Sequence, residues 1–280
     1  MRQLFVTDLD GTLLNSQSRV SDTSARILSH LTDQGALITV ATARTPATVV
    51  PLLSHTRIKG PAIVMTGAAL YDLNEQKFIH RCVIPDNTVT AIIDILHEAH
   101  LNAFVYNVDA ADPKIINTYY FGTPSAKEQK FIDERSHLSL KRIHINRSDL
   151  SITNLPGETS LIFCLGPADA IIPAAQALRE SGMCSVSDYP DIFNHTIRYL
   201  EIFAPGVSKA NAIERLRRHY SADRLIVFGD NLNDLPMMRI ADTAVAVANA
   251  LEAVREAADI VIESNDTDAV ARFIAEHFNP

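Results

Sequence analysis

At both ends of the chain, short apolar runs alternate with stretches whose apolar residues recur every three or four positions. That alternation predicts strands followed by helices around a mostly parallel sheet, an α/β fold of Rossmann-like layout. Leu4 to Val6 reads as the first strand. Ser21 to Gln34 reads as a helix capped by Ser21 or Asp22, with Ile27, Leu28 and Leu31 on one face and Gly35 as its stop. Ala36 to Ala41 is a second strand, Thr45-Pro46 starts a second helix, and Ala62 to Met65 is a third strand. Toward the carboxyl end, strands are expected at Tyr199–Phe203, Leu225–Phe228, Ala244–Val247 and Ile260–Ile262. Helices are expected from Ser208 and near Thr267.

Between these flanks the pattern loosens. A helix over Asn87–His100, a strand near Ala103–Val108 and a polar, loop-rich stretch lead to strands near Ile143 and Leu161–Leu165 and a helix over Ala168–Glu180. This predicts an inserted α+β domain at 84–190 within a core of 1–83 plus 191–280. The crossings are placed near Ile84-Pro85 and Asp188 to Phe193.

With 280 residues, 47% hydrophobic and 21% charged, the chain can bury two such cores. A net charge of −8 without any long Lys/Arg run argues against a nucleic-acid or anionic-membrane surface. No apolar run approaches the ~20 residues of a membrane helix, and no signal-peptide pattern opens the chain. Cys82, Cys164 and Cys184 are odd in number and form no C-x-x-C pair, so a reducing cytoplasm is the expected setting. The Asn-x-Ser/Thr triplets at Asn146, Asn194 and Asn265 are therefore read as chance matches.

The chemistry collects where polar residues follow apolar strands, the edge at which open parallel sheets bind ligands. The first strand ends in Asp8-Leu9-Asp10-Gly11-Thr12, the second in Thr42-Ala43-Arg44, and Leu225–Phe228 in Gly229-Asp230-Asn231-Leu232-Asn233-Asp234. Ser208-Lys209 opens a helix after Pro205-Gly206. Two acid clusters suit a hard divalent cation such as magnesium, and a lysine at a helix start suits a phosphate. Asp8 could attack phosphorus to give an aspartyl-phosphate, and Asp10 could serve as acid and then base. Taken singly, each motif has a plainer reading as a solvated loop, a helix-start residue or an Asx turn. Their joint occurrence in order favours chemistry. His97 and His100, three apart with no third ligand, read as a solvated helix face.

Asp8-Leu9-Asp10-Gly11-Thr12, Thr42, Lys209 and Gly229-Asp230-x-x-Asn233-Asp234 resemble the four motifs of the haloacid dehalogenase superfamily. Gly206-Val207-Ser208-Lys209, Asp230-Asn231-x-Asn233-Asp234-Leu235-Pro236-Met237 and Val247-Ala248-Asn249-Ala250 resemble its Cof-like, sugar-phosphatase type. The resemblance implies Asp8 as nucleophile and metal ligand, and Asp10 as acid/base and, through its carbonyl, metal ligand. It further implies Asp230 as metal ligand, Thr42, Ala43, Lys209 and Asn233 around the phosphate, and Asp234 behind the ligands. Mg2+ would be the cofactor, a small phosphorylated metabolite the substrate, and the insertion a cap that sets specificity. Among cap residues, Asn107, Asp109, Arg142, Asp188, Asn194, His195 and Arg198 are candidates for contact with the alcohol part. Ala43, Thr66 and Ala269 stand where the family usually has Gly, Asn and Gly.

A phosphomutase of the same superfamily and a catalytically silent phosphate-binding protein remain alternatives. A signalling receiver is disfavoured by length and by the insertion, and a halide-removing hydrolase needs neither Asp10 nor Asp230. The oligomeric state is left open.

Overall fold

The computed structural model describes residues 1–58, 60–109, 111–191 and 194–279 and divides into two compact units, 1–80 with 208–280 and 81–207. In the first, β1 (Gln3–Thr7), α1 (Asp22–Asp33), β2 (Leu37–Val40), α2 (Pro46–Leu53), β3 (Ala62–Val64), β4 (Ala69–Asp72) and β5 (Lys77–Arg81) follow in order. Local chemistry sets the helix starts. Ser21 accepts a bond from the Ser24 amide at 3.0 Å, and Pro46 occupies the first turn of α2, where no partner for its nitrogen is needed. Gly35, with φ +97°, ends the turn after α1.

The second unit holds α3 (Asp86–Glu98), β6 (Phe104–Val108), β7 (Ile116–Tyr120), α4 (Ala126–Asp133), β8 (Lys141–Ile145), β9 (Glu158–Pro167), α5 (Ala168–Ser181), β10 (Ser185–Pro190) and β11 (Ile197–Phe203). The chain then returns to the first unit with α6 (Lys209–Tyr220), β12 (Arg224–Gly229), α7 (Leu235–Met238), β13 (Thr243–Val247), α8 (Glu252–Ala257), β14 (Ile260–Ile262) and α9 (Ala269–His277).

The core sheet runs β14-β13-β12-β1-β2, every pair parallel. Its central strands are apolar through their middles because helices pack about it, α1 on α9 and α6 on α7. β1 pairs with β12 in a register that sets Thr7 against Phe228, and the Asp8 amide bonds the Phe228 carbonyl at 3.0 Å. The acidic loops after the two strands therefore leave the sheet side by side. β3, β4 and β5 form a separate sheet in which β3 and β4 run antiparallel, joined to the core by a parallel bridge between Ala41 and Ile63.

The six-stranded sheet of the insertion has the order β10-β11-β9-β6-β7-β8. Val89, Ile92 and Leu96 of α3 and Ile171, Ala175 and Leu178 of α5 bury Val105, Ile162, Leu200 and Ile202 of this sheet. That pairing corrects the expected boundary. β11 was expected in the core, with the insertion ending at 190, yet Leu200 pairs with Cys164 and Ile202 with Ile162, so the second crossing falls between Val207 and Ser208. Of the expected crossing at Asp188 to Phe193, Ile192 and Phe193 lie outside the described residues. β4, β5, β7, α4, β10 and α8 were not anticipated; they are short or carry mixed polar and apolar residues that give no clear period. Several of the named insertion residues are engaged internally: Asn107 accepts from the Thr159 hydroxyl at 2.9 Å, Asp188 pairs with Arg198 at 2.5 Å and with Arg179, and Arg142 pairs with Asp112 at 3.3 Å. Among the described residues no helix is long and apolar enough to cross a membrane.

Lys141 is a costly element of this unit. It is 5% exposed, its Nζ lies 3.1 Å from the Tyr106 hydroxyl and 4.4 Å from that ring's centre, and no carboxylate pairs with it among the described residues. Burial, with Arg135 adding, lowers its pKa from 10.5 to about 7. The unfolded chain therefore holds more protons than the folded one between about 7 and 10.5, and this group's contribution to stability rises with pH across that window. Thermal melts at pH 6.5 and 9 are expected to show Lys141→Met more stable than wild type at the lower pH, with the difference shrinking at the higher one.

Candidate active site

Four backbone segments meet beyond the carboxyl ends of β1 and β12. The first is a turn at Leu9–Leu13, where Asp10 and Gly11 take φ/ψ of −75/117° and 80/−6°, the values of a type II β-turn. Glycine is required here twice over. The positive φ favours it, and a Cβ at position 11 would clash with the Asp230 carboxylate.

The second segment is the start of α6, capped by Ser208, whose hydroxyl accepts from the Asn211 amide at 3.1 Å. Lys209, 3% exposed, donates to Asp8 Oδ1 at 2.5 Å and to Asp234 Oδ1 at 2.8 Å. The third segment supplies those acids' neighbours. Asp234 Oδ2 accepts from the amides of Asp230 at 3.1 Å and Asn231 at 3.2 Å, and Asp230 Oδ1 accepts from the Thr12 hydroxyl at 2.9 Å. Gly229 makes room for this, since a Cβ there would lie 2.7 Å from Asp234 Cβ.

The fourth segment, Met65-Thr66-Gly67, has three consecutive positive φ values of 51°, 57° and 97°. Its amides tie back to the Thr42 loop, Met65 to the Arg44 carbonyl at 2.9 Å and Thr66 to the Thr42 carbonyl at 3.0 Å. Gly67 meanwhile sits against the Ser208 carbonyl so closely that no side chain fits. This strained loop sets the Thr42 loop against the start of α6. For β-branched Thr66 the left-handed conformation is costly, roughly 1–3 kcal/mol.

One carboxylate oxygen each from Asp8, Asp230 and Asp234 falls within a 4.8 Å cluster. Burial pushes the Asp8 carboxyl above its ordinary value, Asp234 and Asp230 adding to the push and Lys209 opposing it. Burial also works against the Lys209 ammonium, yet Asp8 and Asp234 hold its pKa above the ordinary lysine range. Asp230 is pushed up to about 6 by burial, against the hydrogen bond from Thr12 and with Asp234 adding. Three carboxylates facing one ammonium leave two negative charges when all are ionised. Hard oxygen donors with that balance fit one divalent cation. Asp234 spends both oxygens on Lys209 and the loop amides, which leaves Asp8 Oδ2 and Asp230 Oδ2 as the oxygens with no protein partner among the described residues.

The sequence-derived residues thus separate. Asp8, Lys209, Asp230 and Asp234 come together. Thr42 is buried, its backbone held by Ile63 and Thr66 and its Oγ1 accepting from the Arg44 amide at 3.1 Å. Ala43 is half-buried and is not a positive-φ position, so its methyl is tolerated by the backbone. Asn233 is exposed in a 3-10 turn. The Asp10 side chain is half-exposed and forms a two-pronged ion pair with Arg44, at 2.6 and 2.7 Å. The motifs read from sequence assign no role to Arg44 or Thr12; a charged residue two positions past Thr42 is the available signal.

The chain matches the model of the haloacid dehalogenase-like hydrolases over residues 5–274. It belongs to that family. Its relatives include the 5-amino-6-(5-phospho-D-ribitylamino)uracil phosphatase YitU of Bacillus subtilis, 24% identical over 99% of this chain and 97% of that one. Another is the pyridoxal phosphate phosphatase YbhA of Escherichia coli, 24% identical over 98% of each. Among solved structures, a haloacid dehalogenase-like hydrolase from Bacteroides thetaiotaomicron superposes with a TM-score of 0.77 at 26% identity, covering 99% of this chain and 100% of that one. The subclass IIB sugar phosphatase BT4131 gives 0.73 at 21%, covering 99% and 98%. The resemblance read from the motifs, and the α/β fold with it, is borne out.

Because the folded-state pKa of Asp230 exceeds its ordinary 3.8, this group costs stability as pH rises past 3.8, fully so above about 6. In chelator at pH 7.5, Asp230→Asn is expected to melt higher than wild type by about 2–4 °C, and to lose that advantage at pH 4. Thr66→Asn, better suited to the left-handed region, is expected to raise the melting temperature by about 2 °C.

Proposed function

We propose that this hydrolase is a magnesium-dependent phosphatase of small phosphate monoesters, sugar phosphates or related metabolites, acting through an aspartyl-phosphate. The observation that carries the reading is the buried Lys209 held between Asp8 and Asp234 beside Asp230. The names of the relatives carry two different phosphate compounds, so the shared chemistry lies at the phosphate.

Asp8 Oδ1 is fixed by Lys209, which leaves Oδ2, with no protein partner among the described residues, as the attacking atom. A bond forms from Oδ2 to phosphorus as the bond to the leaving alcohol oxygen breaks. Asp10, two residues on, would leave its pair with Arg44 to give that oxygen its proton and later take one from the water that hydrolyses the acyl-phosphate. Lys209, already oriented, offsets negative charge on the transferring oxygens without reorganising. Asp8 and Asp230 would hold the magnesium ion, with the Asp10 carbonyl as the third protein oxygen, and the bound ion would supply charge neutralisation at the phosphate. Thr42, Ala43 and Asn233 would complete the phosphate pocket, and Asp234 keeps Lys209 and the Asp230 loop in place. The inserted unit acts as the cap that selects the alcohol. The absence of a disulfide among Cys82, Cys164 and Cys184 accords with a cytoplasmic setting.

Phosphate release from a panel of small phosphate esters, with magnesium and with chelator, tests this. Magnesium-dependent release by wild type, reduced at least ~1,000-fold in Asp8→Asn with its melting temperature kept, is the expected result. Release that survives in the variant overturns the nucleophile, and no release from any ester overturns the function.

A further inference from the structure

Asn249 lies outside every role assigned so far, in the loop between β13 and α8. Its Nδ2 donates to the Gly11 carbonyl at 2.8 Å, at the turn that carries Asp10, and its Oδ1 accepts from the Asn265 amide at 3.0 Å. Asn265 in turn donates through Nδ2 to the Leu14 carbonyl at 2.8 Å. Both ends of the Gly11–Leu14 segment are thus held by an asparagine side chain, and the Asn249 side chain is tied to the Asn265 backbone. Two residues past Asn249, the Leu251 amide donates to the Asp230 carbonyl at 2.9 Å. One short loop therefore grips the backbone of both acidic segments, 238 residues apart in one case and 21 in the other.

The grip falls where it has most leverage. The peptide that follows Gly11 ends the type II turn, and rotating it would swing the Asp10 backbone and the Thr12 hydroxyl that bonds Asp230. Asn249 is exposed and adds little burial, so its worth lies in orientation rather than in core packing. Its two polar ends are both used, and they face a carbonyl and an amide, a pairing that the separate donor and acceptor of a side-chain amide satisfy.

We propose that Asn249 is a positioning residue, and Asn265 its support, that together lock the Asp8–Thr12 turn against the Asp230 loop in the geometry needed for turnover. The effect on turnover rests on the proposed phosphatase activity; the lock itself does not. With p-nitrophenyl phosphate as the probe, Asn249→Ala is expected to lower kcat about tenfold while KM moves less than about twofold and the melting temperature by under about 2 °C. Asn249→Asp, which keeps the acceptor but sets an oxygen against the Gly11 carbonyl, is expected to lose at least as much, and Asn249→Gln to recover part. Asn265→Ala keeps the backbone amide that bonds Asn249 and removes the Nδ2 bond to the Leu14 carbonyl, so it is expected to lower kcat less than Asn249→Ala does. Independent of activity, hydrogen exchange of residues 9–14 is expected to speed up in Asn249→Ala. Wild-type kcat in Asn249→Ala, or unchanged exchange over 9–14, overturns the proposal. If wild type releases no phosphate, the function fails and the exchange measurement still decides the lock.

Discussion

The site depends on one buried ammonium. Lys209 at 3% exposure would be untenable alone, and so would Asp8 and Asp234 at 6% and 0%. Each is tolerable because the others are there. Lys209 touches both acids, and Asp234 spends its second oxygen on two backbone amides, so the charge is distributed over a fixed frame rather than over mobile side chains. The remaining negative charge concentrates at Asp8 and Asp230. There it raises the cost of ionisation, and a divalent cation placed between the two would offset it.

Such a frame needs backbones closer together than side chains allow. Gly11 lies against the Asp230 carboxylate, Gly229 against Asp234 and Gly67 against Ser208, and each contact joins segments distant in sequence except the second. The strained Met65-Thr66-Gly67 loop belongs to the same economy: its amides fasten the Thr42 loop, while its glycine lets α6 begin close enough for Lys209 to reach the acids. Strain at such a loop persists because the surrounding contacts over-determine it.

The two units solve different physical problems. The core buries its central parallel strands among helices, so their residues are apolar on both sides and only their ends carry chemistry. In the insertion, α3 and α5 pack on one face of the sheet through aliphatic residues. The other face carries Phe104, Tyr106 and Phe163 with Phe131 of α4, and it buries Lys141 among them.

What the chain determines by itself is local. The period of its apolar residues set the core strands and helices, Ser21, Thr45-Pro46 and Ser208 marked helix starts, and the acids, threonine and lysine at element ends named the site's chemistry. Mixed-polarity strands such as β7 and β10 carried no period to read. Only the tertiary structure decided that β11 pairs within the insertion, that Asp10 leans on Arg44 while Asp234 is the innermost acid, and that Asn249 reaches the Gly11 turn. Periodicity reports which face a residue shows to its own element. Strand partners and ion pairs between residues far apart in sequence are settled by register and close packing, which no local pattern encodes.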